Sequence, residues 1–261
     1  MKDFVFKKKY GQNFLSDKNL LRAICMDAGV EKNSSVLEIG AGAGSLTEIL
    51  SENAQRVVSY EIDKDLKEHL LGLKLANVDF VFDDFMNFKM SDVENQFDGE
   101  FKVVANLPYY ITTPIIFKLL EEGTKVKSLT IMVQKEVAEK ICSKVGDKDY
   151  GIPTVVTAIY GSAKITRIVG RQMFYPAPNV DSAILHIEIE KDKFKTIDKE
   201  KFSKFVRACF AMRRKTLLNN LSSIYDKSKL KEALGEELLA RRAESFSLDE
   251  FVELFTKCKA L

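Results

Sequence analysis

The stretch SVLEIGAGAGSLTEIL, residues 35–50, decides the fold. It opens as a short apolar run, passes through Glu38-Ile-Gly40-Ala-Gly42-Ala-Gly44, and continues with apolar residues at the three- and four-residue spacing of a helix. Glycines between a strand and a helix permit positive φ and let ligand atoms approach the backbone, while the helix N-terminus favours negative charge. The spacing is G-x-G-x-G, not the G-x-G-x-x-G of dinucleotide folds. The ligand expected here needs close packing more than a pyrophosphate cradle, which argues against a nicotinamide dehydrogenase.

Outward from that turn the same rhythm repeats. RVVSYEI (56–62), VDFVFDD (78–84), KVVANL (102–107) and SLTIMVQ (128–134) read as strands, and segments such as KDLKEHLLGLKLA between them read as helices. Such βαβ repetition implies a parallel sheet with helices on both faces. KITRIV (164–169) and DSAILHIEI (181–189) add two strands, joined by the turn-rich MFYPAPNV. The last alternates, with Ile184, His186 and Glu188 on one face, as an antiparallel or edge strand would. After Glu190 the pattern is wholly helical. Phe202, Phe205, Val206, Cys209 and Met212 make one apolar stripe, with Lys204, Arg207 and Arg214 elsewhere on the same helix. Two further helices are expected near 227–240 and 247–258, the second opened by a capping box of Ser247 and Glu250.

The division expected is therefore an α/β domain over 1–190 and a small all-helical domain over 191–261. Charge divides the same way: residues 191–261 hold 17 Lys/Arg against 11 Asp/Glu, and residues 1–190 hold 23 against 27, within an overall +2. A basic tail domain on a nearly neutral body suits a polyanionic partner. Cys25, Cys142, Cys209 and Cys258 lie far apart without a C-x-x-C pair, which suggests neither zinc site nor disulfide framework, and no metal is expected. His69 and His186 are the only histidines, and neither has a Ser or Cys nucleophile motif beside it, so triad chemistry is not expected. No apolar segment follows the basic N-terminus, and no window approaches the roughly 20 apolar residues of a bilayer span. A cytoplasmic protein without a membrane partner is the expectation.

Glu61 ends the second strand, placed where an acid can accept both hydroxyls of a ribose. Asp84 ends the third and could accept from an adenine amine, with Asp83 as its adjacent competitor. Singly, each carboxylate could be a helix N-cap; at successive strand ends they favour an adenosine-type cofactor. Strand, G-x-G-x-G, acid, acid and N-L-P-Y together resemble the S-adenosylmethionine-dependent methyltransferases, which implies a Rossmann-like domain with a mostly parallel seven-stranded sheet and S-adenosyl-L-methionine as methyl donor.

Asn106-Leu-Pro-Tyr-Tyr110 then acquires a chemical reading. An adenine exocyclic amine is a poor nucleophile until it pyramidalises, and two acceptors aimed at its N–H bonds favour that geometry in the transition state. Asn106 supplies a side-chain oxygen and Leu107 a backbone carbonyl. Pro108 has no N–H to compete and fixes φ. Tyr109 offers a face on which an extruded base can stack. Phe174, in the stiffened loop Met173-Phe-Tyr-Pro-Ala-Pro-Asn-Val-Asp-Ser182, is the candidate for a second clamp.

The resemblance narrows further. Lys9-Tyr-Gly-Gln-Asn-Phe-Leu15, VLEIGAGAGSLTEIL, VVANLPYYITTPIIFKLL, MVQKEVAEKI, KDYG, FYPAPNVDS and FAMRRKTLLNNL stand in the order of the bacterial small-subunit (16S) ribosomal RNA adenine dimethyltransferase family, the kasugamycin-sensitivity enzymes. It spans nearly the whole chain. It implies dimethylation of two adjacent adenosines in the 3′-terminal hairpin of 16S ribosomal RNA, on the assembling 30S subunit, by a protein expected to be a monomer beside so large a partner. By motif position, Asn13, Leu15, Gly40, Gly42, Glu61, Asp84 and Asn106 border the methyl donor, and Lys7, Lys8, Lys9, Arg207, Arg213, Arg214 and Lys215 meet RNA phosphate. Ala41 replaces a frequent proline, and YGIPTVVTAIY departs from the usual YG-x-LSV pattern in a segment the resemblance places toward RNA.

The related large-subunit methyltransferases of macrolide resistance share QNFL and N-[IL]-P-Y but usually continue YNIST, where this chain has YYITTP. A non-catalytic assembly factor on the same fold is expected to lose the glycine loop, Glu61 or Asn106, all present here.

Overall fold

A computed structural model describes residues 14–15 and 17–259. The strands are β1 (Phe14–Leu15), β2 (Ser35–Ile39), β3 (Arg56–Tyr60), β4 (Val78–Val81), β5 (Phe101–Asn106), β6 (Val126–Gln134), β7 (Gly161–Val169), β8 (Phe174–Tyr175) and β9 (Ser182–Ile189). The helices are α1 (Lys18–Asp27), α2 (Ser45–Asn53), α3 (Lys67–Gly72), α4 (Met90–Glu94), α5 (Thr112–Glu122), α6 (Lys135–Ile141), α7 (Ile152–Tyr160), α8 (Lys199–Cys209), α9 (Leu217–Leu221), α10 (Lys227–Leu234), α11 (Glu236–Ala240) and α12 (Leu248–Cys258).

Seven strands pair in the order β4-β3-β2-β5-β6-β9-β7. β2 to β6 are parallel, and β9 runs antiparallel to β6, from Ser128 opposite Glu188 to Gln134 opposite Ser182. The chain builds outward through β2, β3 and β4, then returns to lay β5 on the other side of β2. The carboxyl ends of β2 and β5 thus form a topological switch point, where sheets of this kind open a crevice for ligands.

Burial explains why the central strands read as continuous apolar runs. Val36, Leu37, Ile39, Val103, Val104 and Ala105 are all buried, because both faces of the sheet are covered. On one face Leu21 and Ile24 of α1 and Leu46, Ile49 and Leu50 of α2 join Val36, Val57 and Val104 in one cluster. Each such side chain contributes roughly 1.5–3 kcal/mol on leaving water. Asp17 starts α1 by accepting the N–H groups of Asn19 and Leu20 at 2.8 and 3.1 Å.

β9 is not the half-solvated strand its alternation suggests. It lies between β6 and β7, and its residues from Ser182 to Ile187 are buried, His186 included. His186 meets the Thr130 hydroxyl through Nδ1 at 2.8 Å. The edge falls to β7, which begins three residues before the expected strand and carries exposed Lys164 and Arg167. A two-residue ribbon was also not foreseen: β1 pairs antiparallel with β8, Phe14 opposite Tyr175 and Leu15 opposite Phe174.

Contacts divide the chain into two units. One holds the described residues up to Ala138 with Lys164–Ile189; the other holds Glu139–Ala163 and the chain from Glu190 onward. The helical unit begins where the sequence changes character, but it also takes in Glu139–Ala163, which the sequence division assigns to the first domain. The departure YGIPTVVTAIY falls on this insert, where Val155, Val156 and Ile159 of α7 are buried. Those positions serve packing within the helical unit.

The long helix expected after residue 199 is broken. α8 buries Phe202, Phe205, Val206 and Cys209, with Phe202 and Phe205 5.5 and 5.6 Å from the Phe255 ring of α12, but Met212 is exposed. Buried Asn220 fills the break: its amide donates to the Cys209 carbonyl at 2.6 Å, and its oxygen accepts the Met212 N–H at 3.0 Å. One side chain thereby replaces the helical bonds lost at the end of α8. Gly235, at φ +77°, likewise separates α10 from α11. The capping box of α12 forms as expected, with Ser247 N–H to Glu250 at 2.7 Å and the reciprocal bond at 3.2 Å.

Candidate active site

The glycine turn closes β2 at the switch point. Gly40 and Gly44 hold φ near +85° and +84°, which residues with a β-carbon rarely adopt. A β-carbon at Gly40 would stand 3.2 Å from the Asn106 carbonyl, and one at Gly44 would strike Leu73 at 2.5 Å. His69 supports the turn from α3, its Nε2 3.1 Å from the Ala43 carbonyl.

Glu61 follows β3 and is almost fully buried. Oε2 accepts the Gly42 N–H at 2.7 Å and Oε1 the Asp63 N–H at 2.8 Å, and the Ile62 N–H adds a third backbone donor, which leaves part of the carboxylate's acceptor capacity for a further donor. Burial raises its carboxyl above the ordinary range, against the pull of those backbone bonds. Asp84 is an N-cap after all: Oδ1 accepts the Met86 N–H at 2.9 Å over the short turn Phe85–Asn87. The cap occupies one oxygen and leaves the other. Asp83 lines the same cavity and accepts the Asp84 N–H at 2.8 Å, so lining alone does not separate the two.

Glu38, central in the opening motif but given no role there, lies fully buried beneath the turn. Thr47 and Ser59 both donate to its Oε2, at 2.6 and 2.5 Å, tying β2 to α2 and β3. Oε1 has no partner. Burial pushes the carboxyl up to about 7, and the charge of Glu61 adds to the rise.

Asn106 ends β5 beside the glycine turn, and its side chain hydrogen-bonds no other described residue, leaving both amide atoms available. The Pro108 carbonyl accepts the Ile111 N–H at 3.2 Å and the Thr112 hydroxyl at 3.1 Å, which fixes the turn onto α5. Tyr109 is half-buried and shares a 2.8 Å hydrogen bond with the Ser182 hydroxyl of β9. Its phenol is raised, first by burial, and stays protonated at neutral pH.

These segments surround one cavity of about 1150 Å³, counted with its open mouth. Leu15, Gly40, Gly42, Glu61, Asp84, Asn106, Leu107, Pro108, Tyr109 and Phe174 all line it. Phe174 is both core-facing and cavity-lining, only 5% exposed. Sequence reasoning missed the apolar walls, among them Ile39, Tyr60, Ile62 and Phe85. The available signal was adjacency, since each neighbours a glycine or acid already singled out. Tyr60 and Phe85 meet edge to face at 5.3 Å. Asn13, Lys7, Lys8 and Lys9 lie outside the described residues. Arg207, Arg213, Arg214 and Lys215 are exposed in the helical unit, Arg207 in the last turn of α8 and the others in the break after it. Arg213 donates to the Lys148 carbonyl.

Among the described residues no helix is long and apolar enough to cross a membrane, and no group of three or more His, Cys, Asp or Glu could hold a metal ion.

The sheet order, glycine turn and acid-lined cavity define an S-adenosylmethionine-dependent methyltransferase with a Rossmann-like sheet. The cavity suits that ligand, pairing carboxylates that attract a cation with apolar walls for an adenine ring and a backbone no β-carbon obstructs. A family model described as ribosomal RNA adenine dimethylase matches residues 3–258, and the chain belongs to that family. It is 42% identical to "Ribosomal RNA small subunit methyltransferase A" of Enterococcus faecalis, over 96% of this chain and 90% of that one. The protein of that name from Fusobacterium nucleatum is also 42% identical, over 97% of each chain. Among solved structures, a dimethyladenosine transferase from Plasmodium falciparum shares the fold, with TM-score 0.81, 24% identity, and 95% and 98% of the two chains covered. The 23S rRNA methyltransferase ErmE is similar at TM-score 0.72 and 26% identity, over 95% of this chain and 100% of that one. The chain is thus an rRNA adenine dimethyltransferase by family.

Proposed function

We propose that this enzyme dimethylates the exocyclic amines of two adjacent adenosines in the 3′-terminal hairpin of 16S ribosomal RNA, on the assembling small subunit, as a cytoplasmic monomer. The observation that carries the reading is the meeting of Gly40 and Asn106 at the switch point, which sets the Asn106-Tyr109 turn on the wall of the glycine-turn cavity. S-adenosylmethionine, when bound, supplies the electrophilic methyl group. Glu61 accepts from the ribose hydroxyls with the lone pairs its backbone bonds leave, Asp84 accepts from the adenine amine of the donor, and Gly40, Gly42, Leu15 and Asn13 close around the remainder.

The target adenine stacks on Tyr109, with Phe174 opposite. Asn106 Oδ1 and the Leu107 carbonyl accept from its N6–H bonds, and these acceptors strengthen as positive charge develops on nitrogen. The proton leaves after the amine has become cationic, so no strong base is required of Asn106. The 2.8 Å bond to Ser182 keeps the Tyr109 ring in one orientation. Arg207, Arg213, Arg214 and Lys215, with Lys7, Lys8 and Lys9, meet phosphate and position the RNA.

The test of target is methyl transfer from labelled S-adenosylmethionine to small subunits lacking the modification, with large-subunit RNA in parallel. Label confined to the small-subunit RNA supports the reading, and label in the large-subunit RNA moves the activity to the resistance type.

A further inference from the structure

Toward the amino ends of the sheet strands, cations of the methyltransferase unit are engaged by the protein itself. Arg56 pairs with Asp79 at 2.7 Å, and Lys32 and Lys102 donate to the Glu52 and Gly29 carbonyls. Lys127, exposed on β6 without such a partner among the described residues, is an exception. Lys18, Arg22 and Arg171 lie beside the cavity instead. All three are exposed, and none of their side chains forms a hydrogen bond or ion pair with a described residue. They belong to one surface. Leu15 and Phe174 pair antiparallel, so the chain leaving Leu15 toward Lys18 runs beside the chain that reaches Phe174 from Arg171. Farther along, Arg167 of β7 clasps Asp27, the last residue of α1, at 2.7 and 2.9 Å. Leu15, Leu21 and Phe174 line the cavity, so the three cations stand in the turns next to its wall.

Lys18 and Arg22 are four residues apart, hence neighbours on the exposed side of α1, and like charges at that spacing disfavour a helix. No acid of the helix relieves them. Asp27 is the only acid in α1, and it is spent on Arg167. The acids nearest in the chain are engaged by backbone N–H groups: Asp17 caps α1, and Asp181 accepts the Arg171 N–H at 3.0 Å. Unneutralised cations beside a cavity suit a polyanion, and a nucleic acid backbone supplies one charge for each nucleotide. We propose that Lys18, Arg22 and Arg171 form a phosphate-binding strip on the methyltransferase unit, which holds the RNA backbone next to the adenosine in the pocket. The proposal rests on the RNA dimethyltransferase reading above. It gives the unit that carries the cavity its own contact with RNA, so that the backbone and the target base are positioned together.

The experiment measures binding of unmodified small subunits against salt concentration for four proteins, with S-adenosylmethionine affinity followed by calorimetry. They are the parent, a triple variant Lys18→Ala, Arg22→Ala and Arg171→Ala, a charge-keeping triple Lys18→Arg, Arg22→Lys and Arg171→Lys, and Lys127→Ala as the control cation. The expected result for the triple alanine variant is a slope of log K against log salt lowered by roughly 2–3, from roughly 0.7–0.9 for each phosphate lost. The charge-keeping variant and Lys127→Ala keep the parental slope, and cofactor affinity is parental throughout. A parental slope in the triple alanine variant, a loss that the charge-keeping variant does not restore, or an equal loss in Lys127→Ala would overturn the proposal while leaving the dimethyltransferase reading intact. A parent that transfers methyl groups only to large-subunit RNA would instead remove the reading on which it rests.

Discussion

A β-carbon at Gly40 would stand 3.2 Å from the carbonyl oxygen of Asn106, so the glycine turn after β2 and the turn after β5 meet backbone to backbone. With φ at +85°, Gly40→Ala adds strain to crowding. It should cost about 1–2 kcal/mol of stability by denaturant unfolding, and calorimetry should show S-adenosylmethionine binding weakened more than unfolding alone accounts for, because the displaced neighbour is the Asn106 main chain.

Asn106→Ala removes an acceptor without disturbing a hydrogen bond of the described fold. Single-turnover methyl transfer should slow by roughly 10²- to 10³-fold, while binding of small subunits changes little. Transfer at the parental rate would sink the role assigned to this turn.

Glu38 makes stability depend on pH. Its carboxyl moves from an ordinary 4.5 to about 7 in the folded protein, so between those values the fold holds a proton that the unfolded chain has released. The contribution is fully present below about 4.5 and is lost as pH rises through about 7. It amounts to about 3 kcal/mol. Thermal unfolding of the parent should weaken from pH 5 to pH 8 relative to Glu38→Gln, whose neutral amide keeps the acceptor for Thr47 and Ser59. Parallel pH profiles for the two proteins would show that Glu38 does not titrate in this range.

Arg214 and Lys215 lie exposed in the break after α8. Replacing either by alanine should weaken subunit binding and lower the slope of log K against log salt by roughly 0.7–0.9, with S-adenosylmethionine affinity unchanged. Arg213→Ala should also loosen its own segment, because it donates to the Lys148 carbonyl.

The strand-end positions were legible because each is fixed by local chemistry. Gly40, Glu61 and Asn106 follow apolar runs that fold as buried parallel strands, Asp84 follows the half-exposed edge strand β4, and the turn residues after them announce the carboxyl ends. What escaped the sequence depends on partners distant in the chain. β8 exists only because Leu15 pairs with Phe174, and β9 is an inner strand and not an edge because β7 closes beside it. The helix break before α9 depends on Asn220, whose polar side chain reads as surface until the Cys209 carbonyl is placed beside it. The cap role of Asp84 and its place in the cavity looked like alternatives, yet a carboxylate has two oxygens and one suffices for the cap.

The most direct measurement is nucleoside mass spectrometry of small-subunit RNA after exhaustive reaction of unmodified subunits with S-adenosylmethionine, with the modified positions mapped by fragment. The expected result is two N6,N6-dimethyladenosines per RNA, on adjacent nucleotides of the 3′-terminal hairpin. Methyl groups on a ring atom, on another base, or on a single isolated adenosine would contradict the chemistry assigned to Asn106, Leu107 and Tyr109.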